Sequence, residues 1–512
     1  MRALGAVVAA AALGVLSSTA FEPLEWRYTM VLAVAGLFLL LRGLREARTR
    51  LVVAVGLAYG AGFFYVLIWW MRAVSDGAYI ALALAETLFL GVLAIGLRAT
   101  LVRRFWWITA PGVWVFGEWA RSSFPFTGFP WGRLAHSAID TPFAPYARLI
   151  GMPGTSAVLL FLACALVALV VGGRRARVTG AATIVALTVI GLVLPVGIAG
   201  AGETKKVALI QGDVPGVFLT WPRGAIFDLH AAETEKLADR VESGESERPD
   251  MVLWPENATD EDPLTTADVR FEIESLSARI GAPILVGGIF DGPRPDTAYN
   301  AGVVWTENGP GDRYIKRKPV PYGEYVPFRD SLEGIVPRFD RDIPRNMLAG
   351  DLPGALDIGG AVLGDTICYD IVYDGVIRDS LAEGAQAIVV QTSNAAFTGT
   401  SQPEQQWDIS RLRALETGRY VLVPSTNGIS GIVGPDGQVV ERAPLHEPAT
   451  IERTITLADG KTPSATLGLP VEVLLIVVGL VGWAYARFGG DAHLRRGREP
   501  RAGARRGADG AA

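Results

Sequence analysis

The chain has 512 residues, 50% of them apolar and 19% charged, and its mean hydropathy is +0.31. That balance excludes an ordinary soluble globular protein, and a net charge of −5 gives no ground for a nucleic-acid partner. Nearly all long uncharged runs fall before residue 200, with one more near residue 480, so a membrane part and a soluble middle are expected.

Eight runs approach the roughly 20 apolar residues needed to cross about 30 Å of hydrocarbon. They lie at 4–20, 29–42, 51–71, 78–97, 105–120, 154–172, 179–199 and 467–486, the second and fifth being short. Arg2, then Arg42, Arg45, Arg48 and Arg50, then Arg98, Arg103 and Arg104, then Arg174, Arg175 and Arg177, and finally Arg495, Arg496 and Arg498 all fall on one side. Short basic loops stay in the cytoplasm, so this side is cytoplasmic and residues 121–153 and 203–465 lie on the opposite face. The expected organisation is a membrane domain of seven helices over 1–200, an extracytoplasmic domain over 203–465, a last membrane helix at 467–486 and a disordered cytoplasmic tail at 487–512. The first run, preceded by Arg2 and followed by Ser17, Ser18 and Ala20, also admits a reading as a cleaved signal peptide.

Within the membrane runs, Glu86 has two readings: a functional group, because a carboxylate in a bilayer is costly, or a structural one that is protonated or helix-paired. Glu118 and Arg121, three residues apart, are expected to pair on one helix face at the outer boundary. The two cysteines, Cys164 in an apolar run and Cys368 in the soluble part, are too separate to bridge, which makes Cys368 a free thiol.

After residue 203, short β-rich runs alternate with polar, helix-compatible stretches: 206–212, 250–256, 283–288, 302–306, 362–370 and 387–393. This is an α/β pattern, and strands apolar almost throughout are expected to be covered on both faces. Reactive groups sit at or just beyond strand ends: Glu256 closes DMVLWPE, Lys316 lies in YIKRKPVPYGEYVPF, and Cys368 closes VLGDTIC. A thiol needs a base to become a nucleophile, a nearby carboxylate can be that base, and an ammonium can hold the site together and stabilise an oxyanion. The four histidines lie outside these motifs, which disfavours a Cys-His pair. Taken singly each residue has a bland reading, Cys368 as a small core residue and Lys316 as a solvated charge, but lysine is scarce, six against forty-one arginines.

The motifs WPEN, YIKRKPVPYGEYVPF, and ICYD followed by QTSN resemble the nitrilase or carbon-nitrogen hydrolase superfamily, in which Glu, Lys and Cys occur in this order. The likeness covers about residues 205–450, including RLRALETGRY and TNGISGIVGPDG. Joined to the membrane runs and to FGEWARSSFPFTGFPWG at 116–132, it resembles the apolipoprotein N-acyltransferases. The resemblance implies a polytopic α-helical membrane domain plus a four-layer αββα sandwich in the bacterial cytoplasmic membrane. It also implies a phospholipid acyl donor, a diacylglyceryl-modified apolipoprotein as acceptor and a cysteine thioester intermediate. No metal cluster, Gly-rich phosphate loop or haem motif appears, so neither cofactor nor metal is expected.

Carried over by motif, Glu256 is the base, Lys316 the oxyanion-stabilising ammonium, Cys368 the nucleophile and Glu324 a supporting carboxylate. Tyr369 follows the nucleophile, and Trp221 is either a substrate-handling residue or a core aromatic. Two positions depart from the family pattern. Asp370 stands where Glu is usual, and AAFTG replaces a usual Trp-Phe-Gly, which implies a rearranged wall. Residues 325–350, with Val326, Phe328, Leu332, Ile335, Val336, Phe339 and Met347 among charges, are expected as a lid at the membrane. The competing readings are a membrane-tethered amidase that uses water as acceptor, and a scaffold with an inactive domain.

Overall fold

The computed structural model describes residues 2–216, 221–332 and 343–488. A helix stands on each of the eight apolar runs: α1 (Arg2–Ser18), α2 (Thr29–Gly43), α3 (Thr49–Leu67), α4 (Asp76–Leu101), α5 (Trp106–Ser123), α6 (Tyr146–Val171), α7 (Arg174–Val193) and, after the α/β part, a C-terminal helix (Pro463–Phe488). Among the described residues, α3, α4, α6, α7 and the C-terminal helix are long and apolar enough to cross a membrane, so the expected count of eight spans is not confirmed. α1 and α2 are shorter apolar helices, whose 17 and 15 residues extend about 22–26 Å at 1.5 Å per residue. α5, which carries Glu118 and Arg121, is not among the five either.

The helices pack through small residues, as expected where no hydrophobic force separates helix from lipid. A Cβ at Gly112 of α5 would lie 2.5 Å from the Leu475 carbonyl oxygen and 2.6 Å from Gly479 N of the C-terminal helix, so two segments far apart in sequence touch backbone to backbone. α1 is likewise seated on α3, where the Ser17 and Tyr59 hydroxyls are 2.7 Å apart.

Among its described residues the α/β part holds thirteen strands: β1 (Thr204–Gln211), β2 (Met251–Leu253), β3 (Ile284–Asp291), β4 (Thr297–Thr306), β5 (Gly309–Ile315), β6 (Asn346–Met347), β7 (Ala355–Ile358), β8 (Ala361–Ile367), β9 (Ala387–Gln391), β10 (Val421–Val423), β11 (Gly431–Val433), β12 (Val439–Arg442) and β13 (Ala449–Thr456). They form two sheets, one in the order β13-β1-β2-β3-β4-β5 with β6 on β4, the other β12-β11-β10-β9-β8-β7. Between them lies an apolar layer in which Val207, Leu209, Leu253 and Leu285 meet Leu363, Ile367, Val389 and Leu422. The alternate residues Ala208, Ile210 and Val252 turn outward against α8 (Ala225–Glu242) and α9 (Ala267–Ile280). With both faces covered, a strand reads as a continuous apolar run rather than an alternating one.

After a short helix, α10 (Arg329–Leu332), the outer face of the second sheet is covered by α11 (Asp374–Ala382) and α12 (Gln402–Thr417). This completes the four layers, but α11 and α12 have a second task. Ile377, Leu381, Trp407, Leu412 and Leu415 belong to one apolar cluster with Phe63, Leu67, Trp131 and Met152 of the membrane part. Polar contacts fix the docking. Gln405 Oε1 accepts from Trp70 Nε1 at 3.1 Å and Trp131 Nε1 at 2.7 Å, while its Nε2 donates to the Glu22 carbonyl at 3.1 Å. Arg27 reaches Asp408 at 2.7 Å and Arg133 reaches Asp374 at 2.6 Å.

The expected lid is partly corrected. Val326 is buried and its N–H donates to Asn346 Oδ1 at 3.0 Å, and Met347 lies in β6 beside Ala298, so both belong to the body of the domain. Phe328 is 72% exposed, and Ile335, Val336 and Phe339 lie outside the described residues, as does the tail beyond 488. Gln405→Leu is expected to leave the Trp70 and Trp131 indole N–H groups buried without their acceptor, at a cost of about 1–3 kcal/mol each. A fall of several degrees in thermal unfolding midpoint in detergent checks this; an unchanged midpoint would show that the bonds do not hold the docking.

Candidate active site

The site forms where strand ends from the two sheets meet. β2 runs parallel to β1 and β3, and its chain continues through Trp254 and Pro255 to Glu256; β8 runs parallel to β9, and Cys368 is the residue after its end. β5 delivers Lys316, the next residue after its end. Glu256, Lys316 and Cys368, far apart in sequence, are thereby brought together.

Lys316 is the hub. Its Nζ lies 3.1 Å from Glu256 Oε1 and 2.9 Å from Glu324 Oε1, with the side chain 2% exposed. Burial works against the charged form, but the two carboxylates and the neighbouring Cys368 together lift the ammonium well above the ordinary lysine range. Lys316 therefore carries a full charge at neutral pH. Asn300 of β4 supplies the other donor, its Nδ2 bonding Glu256 Oε1 at 2.8 Å and Glu324 Oε1 at 2.9 Å. The remaining oxygens separate the two acids: Glu256 Oε2 accepts from Ser393 N at 2.9 Å, whereas Glu324 Oε2 accepts from Val320 N at 2.6 Å within its own loop.

Cys368 opens a short 3₁₀ turn (Cys368–Val372) with φ +51°, a left-handed conformation uncommon for a residue with a Cβ and a recurring feature of functional sites. The Thr392 hydroxyl hydrogen-bonds the thiol. Gln406 Nε2, one residue after the docking glutamine, donates to Thr392 Oγ1 at 3.2 Å and to the Cys368 carbonyl at 3.4 Å. Burial pushes the thiol up to about 12, Glu256 adds to the rise, and Lys316 and the Thr392 bond oppose it. At neutral pH the sulfur thus holds its proton until a base removes it, and Glu256 is the carboxylate that acts on it most strongly.

The other sequence candidates divide. Glu324 sits in the site. Tyr369 is buried beside Cys368, stacked on Phe129 and Trp131 at 6.0 and 6.4 Å between ring centres. Asp370 bonds none of Glu256, Glu324 or Lys316: its carboxylate accepts from the Tyr314 hydroxyl at 2.6 Å and from Lys318 N at 3.0 Å, pinning the segment after Lys316. Trp221 is half-buried ahead of α8, beside residues 217–220 that lie outside the described ones, and supplies none of the bonds to the two acids or Lys316. Within the departing AAFTG stretch, Phe397 packs edge-on to Trp70 at 5.4 Å.

Asn300, Ser393 and Gln406 were not anticipated from sequence. For Asn300 the signal was an amide inside an apolar run, TAYNAGVVWT, whose strand begins at Thr297 and not at Gly302. The expected Glu118–Arg121 pair is not formed. Glu118 accepts from Trp114 Nε1 at 3.2 Å and Leu134 N at 2.9 Å, while Arg121 turns to Glu86 at 3.3 Å. Among the described residues, Glu22, Glu25 and Asp408 come close enough to hold a cation, but Arg27 Nη2 already lies 3.0 Å from Glu25 and 2.7 Å from Asp408.

A thiol raised in this way gives a definite pH dependence. The rate of Cys368 alkylation by iodoacetamide is expected to climb about tenfold per pH unit without levelling below about pH 10. A plateau near neutrality would show a thiolate already formed and contradict this electrostatic description.

Residues 13–165 match the family model of the apolipoprotein N-acyltransferase N-terminal domain, and residues 206–462 that of carbon-nitrogen hydrolases. An apolipoprotein N-acyltransferase of Mycolicibacterium smegmatis is 34% identical, over 90% of this chain and 81% of its own. One from Methylococcus capsulatus is 30% identical, over 96% of this chain and 98% of its own. Among solved structures, a nitrilase-superfamily amidase from Nesterenkonia is 19% identical, with a TM-score of 0.35 over 51% of this chain and 93% of that one. With its carbon-nitrogen hydrolase domain joined to long apolar helices and relatives matched almost end to end, the chain belongs to the apolipoprotein N-acyltransferases, membrane-bound acyltransferases.

Proposed function

We propose that this acyltransferase works through a thioester on Cys368, with a membrane phospholipid as acyl donor and the α-amino group of a diacylglyceryl-cysteine as acceptor. Glu256 takes the thiol proton, and the sulfur attacks the donor's ester carbonyl carbon. The resulting oxyanion is stabilised by Lys316. The ester C–O bond then breaks, and the leaving lysophospholipid oxygen recovers the proton from Glu256. In the second half the acceptor amine attacks the thioester carbonyl, Glu256 removes a proton from the amine, and the C–S bond breaks. An amide forms and the thiol is regenerated.

Glu324 and Asn300 keep Lys316 and Glu256 in register, Asp370 holds the segment after Lys316, and Tyr369 lines the approach to the sulfur. Trp221 is the substrate-handling residue that the resemblance implies. The observation that carries this reading is the buried Lys316 shared by two carboxylates beside a thiol that needs a base.

The membrane arrangement fits the same reading. We place 1–200 and 467–486 in the bacterial cytoplasmic membrane, the catalytic domain at 203–465 on the extracytoplasmic side, and 487–512 in the cytoplasm, on the strength of the alternating arginine clusters. Both substrates are lipids of that outer leaflet, and a site held at its surface avoids drawing acyl chains into water at about 0.8 kcal/mol per methylene.

The test is intact-protein mass spectrometry of the detergent-purified enzyme with phosphatidylethanolamine, followed by a diacylglyceryl-cysteine peptide. A fatty-acyl adduct on wild type, absent from Cys368→Ser and passed to the peptide amine, is expected. No adduct, or an adduct lost only to water, would leave the amidase or inactive-scaffold reading standing.

A further inference from the structure

Glu86 on α4 and Arg121 near the end of α5 are buried charges that make no direct contact with Glu256, Lys316 or Glu324. Arg121 Nη1 meets three acceptors: Glu86 Oε2 at 3.3 Å, the Phe129 carbonyl at 2.9 Å and the Trp131 carbonyl at 2.7 Å. The ring of Phe64 on α3 lies beneath the guanidinium, 5.3 Å from its carbon. The loop that Arg121 gathers folds back on its own helix, with Phe129 N donating to the Arg121 carbonyl at 2.8 Å. At its tip Gly128 has φ +72°, and a Cβ there would fall 2.1 Å from the Ser122 carbonyl carbon, so only glycine fits.

The far side of this loop faces the Cys368 turn. The Gly128 carbonyl accepts from the Tyr373 hydroxyl at 3.1 Å and the Tyr369 hydroxyl at 3.4 Å. The rings of Phe129 and Trp131 lie at 23° and 20° to that of Tyr369, the residue bonded directly to Cys368. An unbroken series of contacts therefore runs from α4 through Arg121 and the loop to the residue next to the thiol.

We propose that Arg121, held by Glu86, is a positioning residue for acyl transfer: it fixes the 124–131 loop against Tyr369, so that the membrane helices set the aromatic face beside Cys368. The physical grounds are the acceptors it satisfies. A loop carbonyl buried among helix ends is costly without a donor, and one planar guanidinium serves two of them together with a carboxylate. Glu86 balances the charge that this requires, since an unpaired charge at such a place is costlier still. Lysine offers a compact point charge and cannot reproduce the planar donor set.

The proposal rests on the reading of Cys368 as nucleophile, and its test separates the two. Arg121→Gln, Arg121→Lys, Glu86→Gln, Tyr369→Phe and the double variant Arg121→Gln/Tyr369→Phe are compared by two rates on the full chain in mixed micelles. One is alkylation of Cys368 by iodoacetamide, which needs only a folded, accessible thiol; the other is adduct formation from phosphatidylethanolamine. Arg121→Gln is expected to slow adduct formation by about tenfold or more while alkylation stays within about twofold of wild type. The double variant is expected to be no slower than the slower single one, because both remove links of one series.

Multiplicative slowing in the double variant, or alkylation and adduct formation falling together, would overturn the proposal. Should Arg121→Gln fail to fold, Arg121→Lys and Glu86→Gln carry the same comparison. A wild-type enzyme that forms no adduct refutes the nucleophile reading, whereas adduct formation equal in wild type and the Arg121 variants refutes this inference alone.

Discussion

The catalytic domain is organised around a single buried ammonium. Lys316 sits between Glu256 and Glu324 with Asn300 as the second donor to the same pair of oxygens. A charge taken out of water is tolerated only with good geometry and satisfied partners, and removing one partner leaves the others uncompensated. The requirement fixes the end of β2, the middle of β4, the end of β5 and the loop that carries Glu324 relative to one another. It also divides the two acids. Glu256 is tied to Ser393, next to the residue whose hydroxyl meets the thiol, whereas Glu324 is tied back to its own loop. On the proposed mechanism the first exchanges a proton with sulfur and the second holds the ammonium.

The second constraint is the attachment of this domain to the membrane helices. α12 presents consecutive glutamines in two directions: Gln405 bonds Trp70, Trp131 and the chain after α1, and Gln406 bonds the Cys368 carbonyl and Thr392. Arg133 adds a charged contact across the same seam to Asp374, which Arg413 of α12 also pairs from within the α/β domain. The outer helix layer, which elsewhere in such a sandwich would face water, is instead continuous with the apolar core of the membrane part. On the proposed function, this attachment lets a lipid ester and a lipid-bearing amine meet the thiol without leaving the surface of the bilayer.

Much of this was legible in sequence where chemistry and position coincide. Glu256, Lys316 and Cys368 stand at or next to strand ends because apolar runs with turn residues after them read as strands, and reactive groups at such ends have few structural uses. Asn300 escaped because its strand was placed from Gly302 onward, which left the amide outside it. The Glu118–Arg121 pair failed for a different reason. Spacing of three along one helix favours contact, but it does not compete with a carboxylate on the neighbouring α4 and two carbonyls of the following loop. Asp370, which stands where the family pattern has Glu and whose role the sequence left in doubt, has its carboxylate on the Tyr314 hydroxyl and Lys318 N, in the turn after the left-handed cysteine. The span count stays unconfirmed where α1 and α2 have 17 and 15 residues, a matter of length that apolar composition alone conceals.

The division of labour between the two carboxylates is the central claim. It is tested most directly by pre-steady-state acylation of Glu256→Gln and Glu324→Gln, each with phosphatidylethanolamine in excess and the Cys368 adduct followed by mass. Loss of the base is expected to slow adduct formation by about 10²–10⁴-fold in Glu256→Gln, with a much smaller loss in Glu324→Gln, where Lys316 keeps one charged partner. Equal losses in the two variants, or the larger loss in Glu324→Gln, would contradict the assignment of Glu256 as the group that takes the proton from sulfur.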